Sequence, residues 1–61
     1  MNSELLRQWE ELKVLVESLN LDLHKNANGN KSAGVRARKG LRLLKKRTSE
    51  VVKESLAAGK S

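Results

Sequence analysis

The sequence predicts an all-α fold, an antiparallel hairpin of two helices. Its 61 residues include no proline, and Trp9 is the only aromatic residue, whereas Leu, Lys, Arg, Glu and Ala are abundant. Two segments have apolar residues at helical spacing, and one Asn- and Gly-rich break separates them. We therefore expect a helix over residues 3–25, a turn over 26–31 and a helix over 32–58, together forming one domain over 1–61.

The first predicted helix carries an apolar stripe whose members are four and three residues apart in alternation, as in a coiled-coil seam. Asn2 or Ser3 is placed to cap this helix, and Glu4 lies in the first turn, where the helix dipole favours an acid. We expect Trp9 to belong to the core and not to a surface that stacks on bases. The stripe consists of Leu5, Trp9, Leu12, Val16, Leu19 and Leu23.

The second predicted helix has a narrow apolar face that is small-sided near the turn, where Asn30 or Ser32 can cap it. Gly34 and Gly40 each weaken a helix by about 1 kcal/mol relative to Ala, so close packing against a helix or a phosphate backbone is expected there. In an antiparallel hairpin Leu19 and Leu23 lie opposite Ala33, Ala37 and Gly40. The larger core or oligomer-interface positions predicted on this helix are Leu41, Leu44 and Val51.

Two amphipathic helices alone bury little surface, so we expect the hairpin to dimerise or to assemble further into a helical bundle. The chain has no cysteine, and His24 is its only histidine. Disulfides and Cys/His metal sites are thereby excluded, and no cofactor is predicted. Leu6, Leu15 and Leu43 lie off the predicted seam within the hairpin and are candidate contacts with a partner copy.

Charge is distributed very unevenly along the chain, whose net charge is +6. Residues 1–30 carry three basic and five acidic residues, a net −2, whereas residues 31–61 carry ten basic and two acidic residues, a net +8. Within 31–47 there are eight basic residues and no acid. This pattern favours an anionic partner. The predicted nucleic-acid-binding residues are Lys31, Arg36, Arg38, Lys39, Arg42, Lys45, Lys46, Arg47 and Lys53.

Double-stranded DNA bound through its phosphates is the partner that this basic helix favours, with RNA as an alternative. A second interpretation is a helical interaction or structural module that binds an acidic protein. A membrane-surface helix ranks lower, because bulky apolar residues do not accompany the basic arc. A solvated face is the remaining alternative. No arrangement of residues supports an enzyme, and no membrane partner or small-molecule substrate is expected.

The run GNKSAGVRARKGL at 29–41, followed by Leu44-Lys45-Lys46, resembles the chlamydial linker-histone-like family, in particular its short members common in Bacteroidetes and also found in phages. The similarity covers about residues 12–55. It implies a non-specific DNA-binding protein that compacts nucleoid or viral DNA, located in the cytoplasm on the nucleoid or, for a viral protein, in the virion or host cytoplasm. The resemblance assigns DNA binding to Lys31, Arg36, Arg38, Lys39, Lys45 and Lys46, and the helical wheel adds Arg42.

Overall fold

The computed structural model describes residues 2–59 and consists, within that range, of two antiparallel helices and no strand. Helix α1 spans Ser3–Ala27 and helix α2 spans Lys31–Gly59. The first helix is two residues longer than expected at its end, and the second is one residue longer at each end. The hairpin is 48 Å long, 15 Å wide and 11 Å thick.

The ends of both helices at the turn are fixed by backbone hydrogen bonds. The Asn30 N–H donates to the Lys25 carbonyl at 3.0 Å, and the Gly29 N–H donates to the Asn26 carbonyl at 3.0 Å. This pair of bonds is a Schellman motif, in which Gly29 takes the left-handed conformation with φ +97°. The same short segment starts the next helix, because the Asn30 Oδ1 accepts a hydrogen bond from the Ala33 N–H at 3.0 Å.

The open end of the hairpin is held by Asn2. Its Oδ1 accepts a hydrogen bond from the Leu5 N–H at 3.0 Å, which makes Asn2 the N-cap of α1. Its side-chain amide also donates to the Glu54 carboxylate at 3.1 Å. One capping residue thus joins the start of α1 to the last turns of α2.

The helices meet along a strip that lies beside the predicted seam on α1. Leu12 and Leu19 are buried as expected, and Leu5 is half-buried. The remaining places between the helices are taken by Gln8 and Leu15 and, nearer the turn, by two polar residues. From Leu5 onward, the buried or half-buried residues of α1 are Leu5, Gln8, Leu12, Leu15, Leu19, Asp22 and Asn26.

Close approach near the turn depends on the two glycines of α2, as the sequence predicts. A Cβ at Gly40 would lie 2.5 Å from the Cδ2 of Leu19, which is buried. A Cβ at Gly34 would lie 2.9 Å from the Cγ of Asn26. Ala33, Gly34 and Ala37 are all buried at this contact, so bulky side chains of α1 face the smallest residues of α2.

Trp9, predicted to belong to the core or to an oligomer interface, is not buried within the hairpin of a single chain. Trp9 is 47% exposed, and Val16, Leu23 and Leu41 are exposed to a similar extent. A helix with one neighbour can bury only a narrow strip, and the apolar stripe of α1 is wider than that strip. Leu15, expected to lie off the hairpin seam, is half-buried and lines it.

Candidate nucleic-acid interface

The side of α2 that faces away from α1 carries most of the chain's unpaired positive charge. Because α2 has 3.6 residues per turn and contacts α1 through Ala37, Gly40 and Leu44, residues near Arg42 point outward. Seven of the nine predicted basic residues are exposed and form no ion pair within residues 2–59. These seven, here called the outer cations, are Lys31, Arg38, Lys39, Arg42, Lys45, Lys46 and Lys53.

Four of the outer cations line one shallow groove on the surface of α2. The groove is completed by Ser49 and by Glu50, its single acidic residue. A shallow site of this kind exposes several ammonium and guanidinium donors to one extended anion, and it offers little enclosed volume to a small molecule. The four cations are Arg42, Lys45, Lys46 and Lys53.

The other two predicted binding residues are tied to acidic residues of α1. The Arg36 Nε donates to the Asp22 carboxylate at 3.1 Å, and an Arg47 guanidinium N–H donates to the Glu11 carboxylate at 3.0 Å. Both arginines are among the residues predicted from the sequence to bind nucleic acid. In the structure they flank the contact between the helices, and each neutralises an acid of the neighbouring helix.

These two interhelical ion pairs follow from the register of the hairpin. Gly29 is the midpoint in sequence between Asp22 and Arg36 and also between Glu11 and Arg47. An antiparallel hairpin with its turn at Gly29 brings such residues to the same height. The two ion pairs could therefore have been predicted from the sequence, but only if the turn had first been assigned to Gly29 itself.

The charges of α1 are largely paired within that helix. Arg7 contacts both Glu4 and Glu11, and Lys13 lies 2.8 Å from the Glu10 carboxylate. Hydrogen bonds from Arg7 and then from Gln8 lower the pKa of the exposed Glu4 carboxyl below its ordinary value. Three of the five acids of α1 thus have a cation on the same helix, Asp22 is paired with Arg36, and the outer cations of α2 remain available to another partner.

Two further observations concern the kinds of site present in residues 2–59. No group of three or more His, Cys, Asp or Glu side chains in this range is arranged to hold a metal ion. Neither helix combines the length and the apolarity that a membrane span requires over the same residues.

Comparison with known proteins gives one positive finding. The family model described as Histone H1-like protein Hc1 matches residues 7–61, which include all of α2 and most of α1. The matched region contains all seven outer cations and both interhelical ion pairs. No curated protein and no solved structure matches the chain at the same standard.

Proposed function

This chain belongs to the Histone H1-like protein Hc1 family, and on that premise we propose that it binds duplex DNA through the outer cations of α2 without reading base sequence. Membership makes it a histone-like, DNA-binding and nucleoid-associated protein that condenses chromosomes, a structural class and not an enzymatic one. The narrower assignment to the short members of the family stays a prediction. The observation that carries the proposal is the set of seven exposed cations without an acidic partner.

The length of α2 suits a phosphate-binding role. Its 29 residues extend about 43 Å at 1.5 Å per residue. Duplex DNA carries one negative charge per about 1.7 Å of axis, so phosphates are available along the whole helix. Side chains as long as Lys and Arg, spread over several turns, can each neutralise a phosphate and release its counterion. Affinity is therefore expected to come from charge neutralisation.

The composition of the outer side argues against base readout as the source of affinity. Stacking on single-stranded bases uses aromatic side chains, and the only aromatic residue, Trp9, belongs to α1. Apart from the cations, the groove is lined by Ser49 and Glu50, and no Asn or Gln lines it. Contacts from Lys and Arg to phosphates position a protein on DNA and carry no sequence information.

The proposal includes self-association of the chain. In residues 2–59 the buried apolar side chains are only Leu12, Leu19, Ala33 and Ala37. A core this small supplies little of the stability that a 61-residue chain needs. Burial of exposed apolar surface between copies would supply the rest.

Gel-shift titration of random duplex DNA over a range of salt concentrations tests the proposal. If four to six cations per chain contact phosphates, the slope of log K against log salt is about −4 to −5. Replacing Arg38, Arg42 and Lys46 together with Ala is expected to reduce the magnitude of this slope by up to about 3 and to weaken binding equally on AT-rich, GC-rich and random duplexes.

A matched control removes the same charge from the other helix. The triple variant Arg7→Ala, Lys13→Ala and Lys25→Ala also loses three positive charges but none of the outer cations. We expect its slope to change by less than about 1. Equal losses in the two variants would mean that net charge alone attracts DNA. A loss confined to one duplex sequence would mean base readout. Competition by polyglutamate as strong as that by DNA would favour an acidic protein as the partner.

A further inference from the structure

One broad face of the hairpin is uncharged along its centre. We call it the open face and define it by Trp9, Val16 and Leu23 of α1 and by Leu41 and Thr48 of α2. The α1 members are seven residues apart, and so are the α2 members, so each set lies on one side of its helix. All five residues are exposed in the single chain.

A groove on the opposite face shows that both sets lie on the same side of the hairpin. Val14 and Leu15 of α1 and Leu43 of α2 line this groove together. Two residues along a helix correspond to a rotation of about 200°. Val16 and Leu41, each two residues from a lining residue, therefore lie across the hairpin from the groove and next to each other.

The sequence pattern directs apolar residues of both helices toward the open face. The predicted stripe of α1 combines Leu12 and Leu19, which are buried, with Trp9, Val16 and Leu23, which are exposed. The middle of this apolar stripe is therefore directed partly toward α2 and partly toward the open face. The same holds for α2, where Leu44 is half-buried and Leu41 is exposed. In a four-helix bundle the apolar stripe of each helix points in this way toward the bundle axis.

The groove face is the poorer candidate for an interface, although it contains apolar side chains. Its edges carry Glu11 and Arg47, joined by an ion pair, and its neighbouring positions include Arg36 and Glu50. Covering this face would bury charges whose desolvation is costly. Covering the open face removes no charge at its centre from water.

We propose that the open face is the interface with a second copy of this chain, and that two hairpins form a four-helix bundle through it. A face about 48 Å long and 15 Å wide has a projected area of roughly 720 Å², which is within the roughly 600–1,000 Å² per partner of a standard stable interface. This inference specifies the self-association in the proposed function, and it stands independently of DNA binding.

Charge selects between the two symmetric ways of joining the open faces. If the turns lie at opposite ends, α1 faces the partner's α1 and α2 faces the partner's α2. Arg38 and Lys45, which flank Leu41, would then meet a second basic helix. If the turns lie at the same end, each α2 faces the partner's α1, which is the acidic half of the chain. The structure favours the second arrangement, in which the two α2 helices occupy opposite corners of the bundle.

Sedimentation equilibrium without DNA tests the interface. Leu41 and Leu43 are matched, since both belong to α2 and are 42% and 41% exposed. Leu41→Glu is expected to raise the dimer dissociation constant on the order of 100-fold, because the variant loses the apolar contact of Leu41 and would have to desolvate a carboxylate at the centre of the interface. Leu43→Glu is expected to change it less than about threefold. Circular dichroism of each variant reports whether the helices persist.

Disulfide trapping tests the arrangement with substitutions that keep the fold. Val16 and Leu41 lie at the same height, because Gly29 is close to their midpoint. With both turns at the same end, Val16 of one chain faces the partner's Leu41, so a mixture of Val16→Cys and Leu41→Cys chains should form mainly mixed disulfides. With the turns at opposite ends, Val16, near the middle of α1, faces the partner's Val16, and self-disulfides should dominate. The chain has no native cysteine to compete.

The outcomes separate this inference from the proposed function. Dominant self-disulfides would overturn the arrangement. Dimer loss in Leu43→Glu with retention in Leu41→Glu, or the absence of any disulfide, would overturn the open face as the interface. A parent chain that stays monomeric up to submillimolar concentration would overturn the self-association as well. In each case, DNA binding with the expected salt slope would leave the role of the outer cations intact.

Discussion

The two helices of this hairpin divide the physical tasks between them. Helix α1 supplies the bulky apolar side chains and pairs most of its charges internally, as Arg7 does with Glu4 and Glu11. Helix α2 supplies the small residues that those side chains pack against, and it leaves its cations unpaired on the outer side. Helix α1 therefore mainly stabilises the hairpin, and because it does so, the outer side of α2 can carry unpaired cations.

Leu19→Ala tests how much a bulky side chain of α1 contributes to the stability of the hairpin, and it has the largest expected effect. Leu19 is 4% exposed and fills the space over Gly40, so its truncation leaves a cavity that no side chain of α2 can fill. We expect a loss of about 2–5 kcal/mol in the free energy of unfolding, measured by urea denaturation at fixed protein concentration. Leu56→Ala, at an exposed position of α2, serves as the control. Equal losses would contradict the division of tasks.

Gly40→Ala tests whether α2 needs a residue without a side chain at the point where Leu19 packs against it. The added methyl group would meet Leu19, and overpacking of this kind costs about 1–3 kcal/mol. Ala is favoured over Gly within a helix by about 1 kcal/mol, so a net destabilisation of roughly 1 kcal/mol is expected. Gly59→Ala has open space around the new methyl group and should not destabilise the protein. A Gly40→Ala protein more stable than its parent would show that close helix approach is unnecessary.

Glu11→Gln tests the link between the two charge systems. Glu11 accepts from Arg7 on its own helix and from Arg47 on the other. Because the pairs are exposed, the expected loss in stability is about 1 kcal/mol or less, and it should shrink with added salt. The substitution also frees Arg47, so DNA affinity is expected to rise slightly. Weaker DNA binding by a folded Glu11→Gln protein would mean that Arg47 acts only as a structural residue.

The titration of Glu4 gives the smallest effect. Its pKa is lowered in the folded chain by the hydrogen bond from Arg7, so the ionised carboxyl favours folding at pH values above the ordinary pKa of the group. This contribution is lost as the pH falls through the lowered value. Carbon-detected NMR should place the Glu4 midpoint below the ordinary pKa of a glutamate side chain, and Arg7→Gln should raise it. An unchanged midpoint in the variant would show that Arg7 does not hold this carboxylate in solution.

The sequence was sufficient for the two helices and the turn between them because those features depend on local chemistry, and it narrowed each N-cap to two candidates, Asn2 or Ser3 and Asn30 or Ser32. Asn2 and Asn30 cap α1 and α2 with their side chains, and Gly29 takes the left-handed conformation that ends α1. The contact strip was misplaced on α1 because Gln8 and Asp22 lie between the helices, whereas apolar Trp9 and Val16 do not. Hydrophobic periodicity gives the centre of an apolar stripe, and one neighbouring helix covers only one flank of it.

The candidate site shows the same division between local and tertiary information. The positions of Lys and Arg along the sequence, placed on a helical wheel, predicted the basic side of α2. Whether a given arginine is available to DNA depends on what lies across the hairpin from it. Arg36 and Arg47 are paired because Asp22 and Glu11 stand at the same height, and a wheel drawn for α2 alone contains no information about α1.

The three-residue turn also determines the order of folding and assembly, with the hairpin forming before any two chains pair. Closing a short loop takes about 10–100 ns and helix formation about 0.1–1 μs, so each chain folds back on itself within microseconds. Encounters between proteins proceed at about 10⁵–10⁷ M⁻¹s⁻¹, which at micromolar concentration means roughly 0.1–10 s between productive meetings. Hairpin formation should therefore be independent of concentration, and any later pairing should be slower by several orders of magnitude and proportional to the amount of protein. Newly made chains would reach DNA as hairpins first.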